Sequence, residues 1–265
     1  MIQLEQMNNV ALISGASSGI GKELAHIHAE NGGDLVIVAR SSEQLNALKK
    51  ELENKHGIKV LVMVKDLALP ESPKEIYDEI KKGGIKIEML VNNAGFGSVG
   101  KFHELDYEKQ MTMINLNVTS LTAMTRLFLP DFIQRNSGKI LNTSSTASLM
   151  PGPLQAVYFA TKAYVSSFSN ALSEELRHTN VTVTNLMPGA TETKFGAISG
   201  MDKTIMFKKT ASARSVAEAG YNAMLKGKFD VISGLTTAQK IMISGIPFMP
   251  KKLLLKTVKR MQQTN

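Results

Sequence analysis

Two tyrosine–lysine pairs in this chain have a spacing that could do proton chemistry: Tyr158 and Lys162 in "YFATK", and Tyr77 and Lys81 in "YDEIK". On a helix, residues four apart share one face, a turn apart. An ammonium beside a phenol favours the phenolate and makes a weak acid usable for proton transfer. Spacing alone does not separate the two pairs. "SGASSGIG" at 14–21 offers a second chemistry, with Gly15, Gly19 and Gly21 set around Ser17, Ser18 and Ile20. Glycines let backbone N–H groups approach a phosphate, and a helix opening there adds its unpaired N–H groups and positive dipole end.

These groups need elements to position them. Apolar, β-branched runs at 10–14, 34–39, 59–64, 88–93, 138–144, 181–187 and 229–233 alternate with amphipathic stretches at 19–31, 43–55, 72–82, 107–135, 156–178 and 211–226. Strands that are apolar almost throughout are covered on both faces, and strand–helix alternation builds βαβ units. The expected fold is α/β: a Rossmann-like doubly wound parallel sheet of about seven strands with helices on both faces. Residues 1–238 are expected to form the dinucleotide-binding domain with its active site. Residues 239–265 form a basic amphipathic extension of it.

The glycine turn then lies where a first strand ends and a first helix begins, the place for a pyrophosphate. The second strand ends in "VARSS". Arg40 can pair with a ribose 2′-phosphate and Ser41 and Ser42 can donate to it, whereas NAD recognition calls for an acidic residue there. That predicts NADP(H). Asp66, with Leu67 after it, closes the third strand and is placed to reach the adenine. "NNAG" at 92–95 puts Asn93, Ala94 and Gly95 at a strand's carboxyl end, where open α/β sheets bind ligands.

Together these stretches resemble the short-chain dehydrogenase/reductase family over residues 8–233. The resemblance implies a Ser–Tyr–Lys set joined by an asparagine, with the serine ending the fifth strand 13 residues before the tyrosine. Counting back from Tyr158 reaches Ser145 in "NTSS"; from Tyr77 it reaches Val64, inside the third strand. Tyr158 and Lys162 take the chemistry, and Tyr77 and Lys81 decorate a helix surface. "INLNVTS" offers Asn115 and Asn117. The family's later proline lies 13 residues on, at Pro130 from Asn117 but at Phe128 from Asn115, which favours Asn117. In "PGATET" the resemblance makes Pro188 and Gly189 the nicotinamide floor, with Thr191 and Thr193 as further cofactor contacts. The implied reaction is hydride transfer between a nicotinamide and a carbonyl or secondary alcohol. Tyr158 serves as acid or base, Lys162 lowers its pKa and bonds the ribose, Ser145 steadies the substrate oxygen, and Asn117 holds a water.

Two departures stand out. Ser14 replaces the family's usual threonine but keeps a hydroxyl. No glycine pair follows the seventh strand, and the chain runs on through the region of the family's common tetramer contact; a homodimer or homotetramer is expected. The specificity segment, 194–210, carries Phe195, Ile198, Met201, Ile205, Met206 and Phe207, and Met150 and Leu154 lie near the tyrosine. Such an apolar lip favours an apolar ketone or ketoacyl substrate over a sugar.

The chain has no cysteine, which excludes disulfides and thiolate chemistry, and its five histidines lack metal-ligand spacing. No metal is expected. No cationic leader precedes an apolar run, and no stretch reaches the roughly 20 apolar residues of a membrane span; a cytoplasmic protein is expected. Residues 201–265 hold 12 Lys/Arg against 3 Asp/Glu, so the whole net charge of +8 is C-terminal. Without an aromatic stacking platform this does not indicate nucleic acid. In the tail, Leu254, Val258 and Met261 share a helical face apart from Lys251, Lys252, Lys256, Lys259 and Arg260. That helix could lie on a membrane surface, cap the substrate cleft or meet a second subunit. Two alternatives to a plain reductase remain: a non-catalytic dinucleotide sensor, and a membrane-surface lipid or steroid reductase.

Overall fold

The computed structural model describes residues 7–204, 207 and 209–263. Strands β1 (Val10–Ser14), β2 (Leu35–Ala39), β3 (Val60–Val64), β4 (Ile87–Asn92), β5 (Gly138–Thr143) and β6 (Val181–Pro188) are numbered along the chain. Two short strands, β7 (Thr191–Glu192) and β8 (Ala211–Ser212), pair with each other, and β9 (Asp230–Ser233) follows. The main sheet is seven-stranded and parallel, in the order β3-β2-β1-β4-β5-β6-β9. Chain direction across the sheet reverses between β1 and β4, so their carboxyl ends open a crevice.

Side chains alternate along each strand, and the two faces build separate cores. Ala11, Ile13, Leu35 and Ile37 face α1 (Gly19–Glu30), α2 (Ser42–His56) and α8 (Ala213–Leu225). Val10, Leu12, Val36 and Val38 face α3 (Ser72–Lys82), α5 (Leu121–Gln134) and α6 (Ala156–Glu175). In α2, Leu45, Leu48 and Leu52 recur at three- and four-residue spacing and are buried. At about 1.5–3 kcal/mol for each buried leucine, that one stripe holds α2 to the sheet although its other faces are charged and polar.

The long helix expected over 107–135 is instead α4 (Tyr107–Ile114), a widened π segment over Asn115–Ser120, and α5. Polar side chains compete with the helical ladder here: Thr122 Oγ1 donates to the Val118 carbonyl at 2.8 Å, and Asn117 turns inward to bond the loop after β4. Pro130 lies in α5 four residues after the exposed Arg126, so the carbonyl it leaves unbonded is on the solvent side.

β7 and β8 clip together the two ends of the segment that carries α7 (Lys194–Ser199). Beyond β9 the chain forms α9 (Thr237–Gly245), a turn at Ile246–Phe248 and α10 (Lys251–Gln262). The amphipathic tail helix is present, with its apolar face turned inward. Leu254 and Val258 are buried in a third cluster with Met113, Tyr158, Phe159 and Met201. Lys251, Lys252, Lys256, Lys259 and Arg260 are exposed.

Candidate active site

The crevice at the carboxyl ends of β1, β4, β5 and β6 holds a cleft of about 700 Å³. At one end is the glycine turn. Gly15 has φ +68°, and a Cβ on Gly21 would lie 2.3 Å from the Gly15 carbonyl oxygen, so neither position admits a side chain without a backbone shift. Ser14 Oγ donates to the Val91 carbonyl and accepts from the backbone N–H groups of Asn93 and Ala94 at 2.9 and 3.1 Å. The serine thereby fastens the glycine turn to the "NNAG" strand end. Ser18 stands at the N-cap of α1 without bonding the helix's first N–H groups, which stay available to an anion.

Ser17, Gly19, Ile20, Asn93, Ala94 and Gly95 line this end with Arg40, Ser41, Asp66 and Leu67. Arg40 is 77% exposed, and its nearest carboxylate oxygen, on Asp66, is 3.9 Å away. Ser41 Oγ accepts from Gln44 N as the cap of α2, leaving its O–H free to donate. Ser42, on the first turn of α2, bonds Asn46 and does not line the cleft.

At the other end, α6 carries Tyr158 and Lys162 in its first two turns, both buried. Lys162 Nζ lies 5.9 Å from the Tyr158 ring centroid and donates to the Thr143 carbonyl at 2.8 Å. Ser145, just past β5, accepts from Ala147 N and donates to the Pro188 carbonyl. Asn117 Oδ1 accepts from Phe96 N at 3.1 Å, while Nδ2 donates to the Phe96 carbonyl and to Thr161 Oγ1. A methyl on Gly95 would sit 2.9 Å from Asn117 Oδ1 and 3.4 Å from Lys162 Nζ, so this glycine joins the two ends of the site. Pro188, Gly189, Thr191 and Thr193 line the cleft below. Thr193 also caps α7 through Phe195 N.

Burial sets the electrostatics. It pushes the Tyr158 phenol up to about 12, a rise that the hydrogen bond with Ser145 opposes. The same burial brings Lys162 from its ordinary 10.5 down to about 8. Desolvation thus moves the two pKa values in opposite senses, each toward the neutral form of its group.

The second pair has nearly the same internal geometry, with Lys81 Nζ 5.8 Å from the Tyr77 ring centroid. Its surroundings differ. Lys81 is half exposed and pairs with Asp131 at 3.1 Å, while Tyr77 bonds the same carboxylate and meets Phe128 edge-on. The pair ties α3 to α5, more than the surface decoration expected, and lies away from the cleft.

Several contributors have no signature in the local sequence. Thr161, one turn after Tyr158, holds Asn117 and donates to the Tyr158 carbonyl. Asn92, Asn142 and Asn185 stand in register on β4, β5 and β6 beneath α6. Asn92 donates to Asn142, Asn142 to Ser169, and Asn185 to Ser166; Ser166 meets Ser144, which donates to the Lys162 carbonyl. The available signal is one asparagine on each of three successive strands, at the end of β4, next to last in β5 and in the middle of β6.

The substrate end is apolar, in keeping with the lip residues. The Phe195 ring lies 5.6 Å from that of Tyr158, and Met201, Phe207 and Ile198 line the cleft. Met150 packs against the same cluster, whereas Leu154 is outside the lining and occupies left-handed backbone at φ +70°. Ile205 and Met206 lie outside the described residues. Among the described residues, no cluster of metal-ligating side chains occurs and no helix is long and apolar enough to cross a membrane.

A crevice with Cβ-free backbone at one end, uncapped helical N–H groups, and a buried phenol and ammonium at the other fits a dinucleotide in extended form. A sequence model of the family described as short chain dehydrogenase matches residues 9–203. The chain belongs to that family. A very-long-chain 3-oxoacyl-CoA reductase from Anas platyrhynchos is 37% identical over 71% of this chain and 62% of its own length. Human 17-beta-hydroxysteroid dehydrogenase type 3 is 35% identical over 78% of this chain and 66% of its own. The chain thus spans less than two thirds of these curated relatives. A short-chain dehydrogenase from Sphingobium yanoikuyae, solved in complex with NADPH, superposes with a TM-score of 0.81 at 30% identity, covering 91% of this chain and 94% of that one.

Lys162 gives a stability test. Its folded-state value lies below its ordinary one, so the unfolded chain binds the extra proton between about pH 8 and 10.5. The full cost of burying the ammonium is therefore present below pH 8 and is relieved as pH rises through that window. Lys162→Met removes this cost but leaves the Thr143 carbonyl unbonded, for a net gain of about 2 kcal/mol at pH 7. Thermal unfolding of the cofactor-free protein should show a Tm several degrees higher at pH 7, with the advantage shrinking toward pH 10. An equal offset at both pH values would exclude the buried charge as its source.

Proposed function

We propose that the chain is an NADP(H)-dependent oxidoreductase that reduces a ketoacyl-type substrate, a 3-oxoacyl thioester, to the secondary alcohol. The observation that carries this reading is the buried Tyr158–Lys162 pair beside Ser145, at the apolar end of a cleft whose other end presents Arg40 and an uncapped helix. The family membership, the 3-oxoacyl-CoA reductases among the relatives and the NADPH-bound neighbour support it. Bound NADP(H) supplies the hydride. The glycine turn and the first N–H groups of α1 would hold the pyrophosphate, and Arg40 with Ser41 would hold the 2′-phosphate. Asp66 and Leu67 would contact the adenine, and Pro188, Gly189, Thr191 and Thr193 would support the nicotinamide end.

Tyr158 gives its proton to the carbonyl oxygen as that oxygen gains charge, and Ser145 donates a hydrogen bond to the same atom. Lys162 lowers the cost of the phenolate and bonds the ribose. Asn117 Oδ1, which accepts one hydrogen bond from the protein, keeps a lone pair for a water that returns the proton. A non-catalytic sensor would need no such set, and the burial of both titratable groups disfavours it. A 17-ketosteroid is the second substrate class, favoured by the second relative's activity and the same apolar lip.

The proposed setting is the cytoplasm. A homodimer or homotetramer is proposed from family membership alone. Peripheral contact with an anionic membrane surface is also proposed, through a different face from the one the tail sequence suggests. Leu254 and Val258 are used inward, but Ile241 and Met242 on α9, Phe248 in the turn after it and Leu253 on α10 are exposed, Phe248 at 88%; we take them together as the ridge of this proposal. Lys240, Lys251 and Lys252 flank it, and each adds about 1 kcal/mol of attraction near anionic lipid.

Tyr158→Phe should lower kcat by about 10²–10⁴-fold with NADPH affinity retained, read by stopped-flow turnover and fluorescence titration; turnover within tenfold of wild type would remove Tyr158 from the proposed role. Arg40→Asp should cut the NADPH-over-NADH ratio of kcat/KM by about 100-fold, the worth of a charge-assisted bond replaced by repulsion. An unchanged ratio would place 2′-phosphate recognition elsewhere. Full-length Phe248→Ser should partition onto phosphatidylserine-containing vesicles about tenfold more weakly than wild type. Equal co-sedimentation would count against the ridge. Truncation is the poorer test, since it would also uncover the cluster around Tyr158.

A further inference from the structure

Among the described residues, one side chain that lines the cleft carries a buried polar atom without a hydrogen-bond partner. Gln155 precedes α6, one turn before Tyr158, and is 2% exposed. Its backbone is already engaged: the N–H donates to the Gly152 carbonyl, and the carbonyl accepts from Phe159 N. Its side-chain Nε2 donates to Oε1 of Gln262, the last residue of α10, itself 1% exposed. Both glutamines line the cleft. That leaves Gln155 Oε1, buried and without a hydrogen-bond partner among the described residues. A buried acceptor left unpaired is disfavoured, and in native proteins it calls for a partner.

We propose that Gln155 Oε1 is a recognition point for the substrate, accepting a hydrogen bond from an N–H of the ligand, and that Gln262 fixes the direction of the amide. This rests on the ketoacyl reading above and narrows it. The keto oxygen cannot be the partner, because it is an acceptor and is held by Tyr158 and Ser145. The donor is sought close to the reacting carbon, since Gln155 stands three residues before Tyr158 and both line the cleft. A 3-oxoacyl thioester on a pantetheine-type arm has an amide N–H at such a remove, past the sulfur. A hydrocarbon ketone has none. By holding Nε2, Gln262 fixes the plane of the Gln155 amide, so the C-terminal helix contributes a polar contact inside an apolar wall.

The test compares two substrates that differ only in that donor: 3-oxodecanoyl-N-acetylcysteamine thioester, and the S-(2-acetoxyethyl) thioester of the same acid, in which an ester oxygen replaces the N–H. For wild type, Gln155→Leu and Gln262→Leu, the readout is the ratio of kcat/KM for the first substrate over the second. The expected result is a fall of about tenfold in Gln155→Leu, carried by KM, and a smaller fall in Gln262→Leu. A ratio within about twofold of wild type in Gln155→Leu overturns the proposal, because a merely structural glutamine would affect both substrates alike. Decanoyl-N-acetylcysteamine, which carries the amide but no ketone, is titrated calorimetrically into the NADP⁺-loaded protein as a second arm. If wild type reduces neither thioester, the ketoacyl reading has failed on its own and this arm decides. A Kd about tenfold weaker in Gln155→Leu supports the recognition point, and an equal Kd, or no binding by wild type, overturns it.

Discussion

The fold is organised around keeping one ammonium charged in a largely desolvated position at the wall of the cleft. Lys162 is buried without a carboxylate to neutralise it, and burial alone accounts for its lowered pKa. A buried cation of this kind persists only if its donors are met and its helix cannot shift. The Thr143 carbonyl at the end of β5 meets one donor at 2.8 Å, and that atom is available because β5 stops there. A phenol one turn away feels the same exclusion in the opposite sense and is pushed up. Desolvation therefore opposes proton loss at Tyr158 and favours it at Lys162. An added positive charge in the cleft would be felt strongly by both, because little solvent screens it.

Holding α6 in place falls to side chains that have no part in the chemistry. The asparagine row on β4, β5 and β6 lies under the helix, and through Ser169, Ser166 and Ser144 it reaches the backbone of Lys162 itself. Such a network is worth having only when satisfied throughout, since a single orphaned amide in the core would cost about 1–3 kcal/mol. Strand register is thus coupled to the site. A one-residue slip of β5 would turn Asn142 to the opposite face and carry the Thr143 carbonyl away from Lys162. On the far side of α6, Thr161 and Asn117 make the matching connection to the π segment and the loop after β4.

The sequence is most legible where a local pattern and a local cause coincide. Parallel strands covered on both faces read as apolar runs, and the turn into α1 shows as glycines because backbone must pass close to backbone at Gly21. The Tyr158 pair is separable from the Tyr77 pair only by the count to Ser145. Their internal geometries are nearly equal, and it is burial against Asp131-paired exposure that divides them. What stays hidden depends on contacts distant in the chain. The π segment arises because Asn117 bonds residues 96 and 161, and neither partner is visible in a periodicity that reads as one long helix. The asparagine row exists only once three strands are in register. The amphipathic tail is legible as a helix, but its direction is not, since the same stripe can face lipid, a subunit or the chain's own cleft.

That direction changes what the tail can do. With Leu254 and Val258 packed beside Tyr158 and Phe159, and Gln262 in the cleft wall, α10 is part of the substrate site. Its neighbour α9 and the turn after it present Ile241, Met242 and Phe248 outward on the same stretch of chain. On the proposed reading, an apolar substrate at Tyr158 would lie against this segment. A surface that covered the outer ridge would therefore act on the elements that close the inner wall. Six of the twelve basic residues after residue 200 lie on α9 and α10, so attraction to an anionic surface and admission of an apolar ligand would share one structural element.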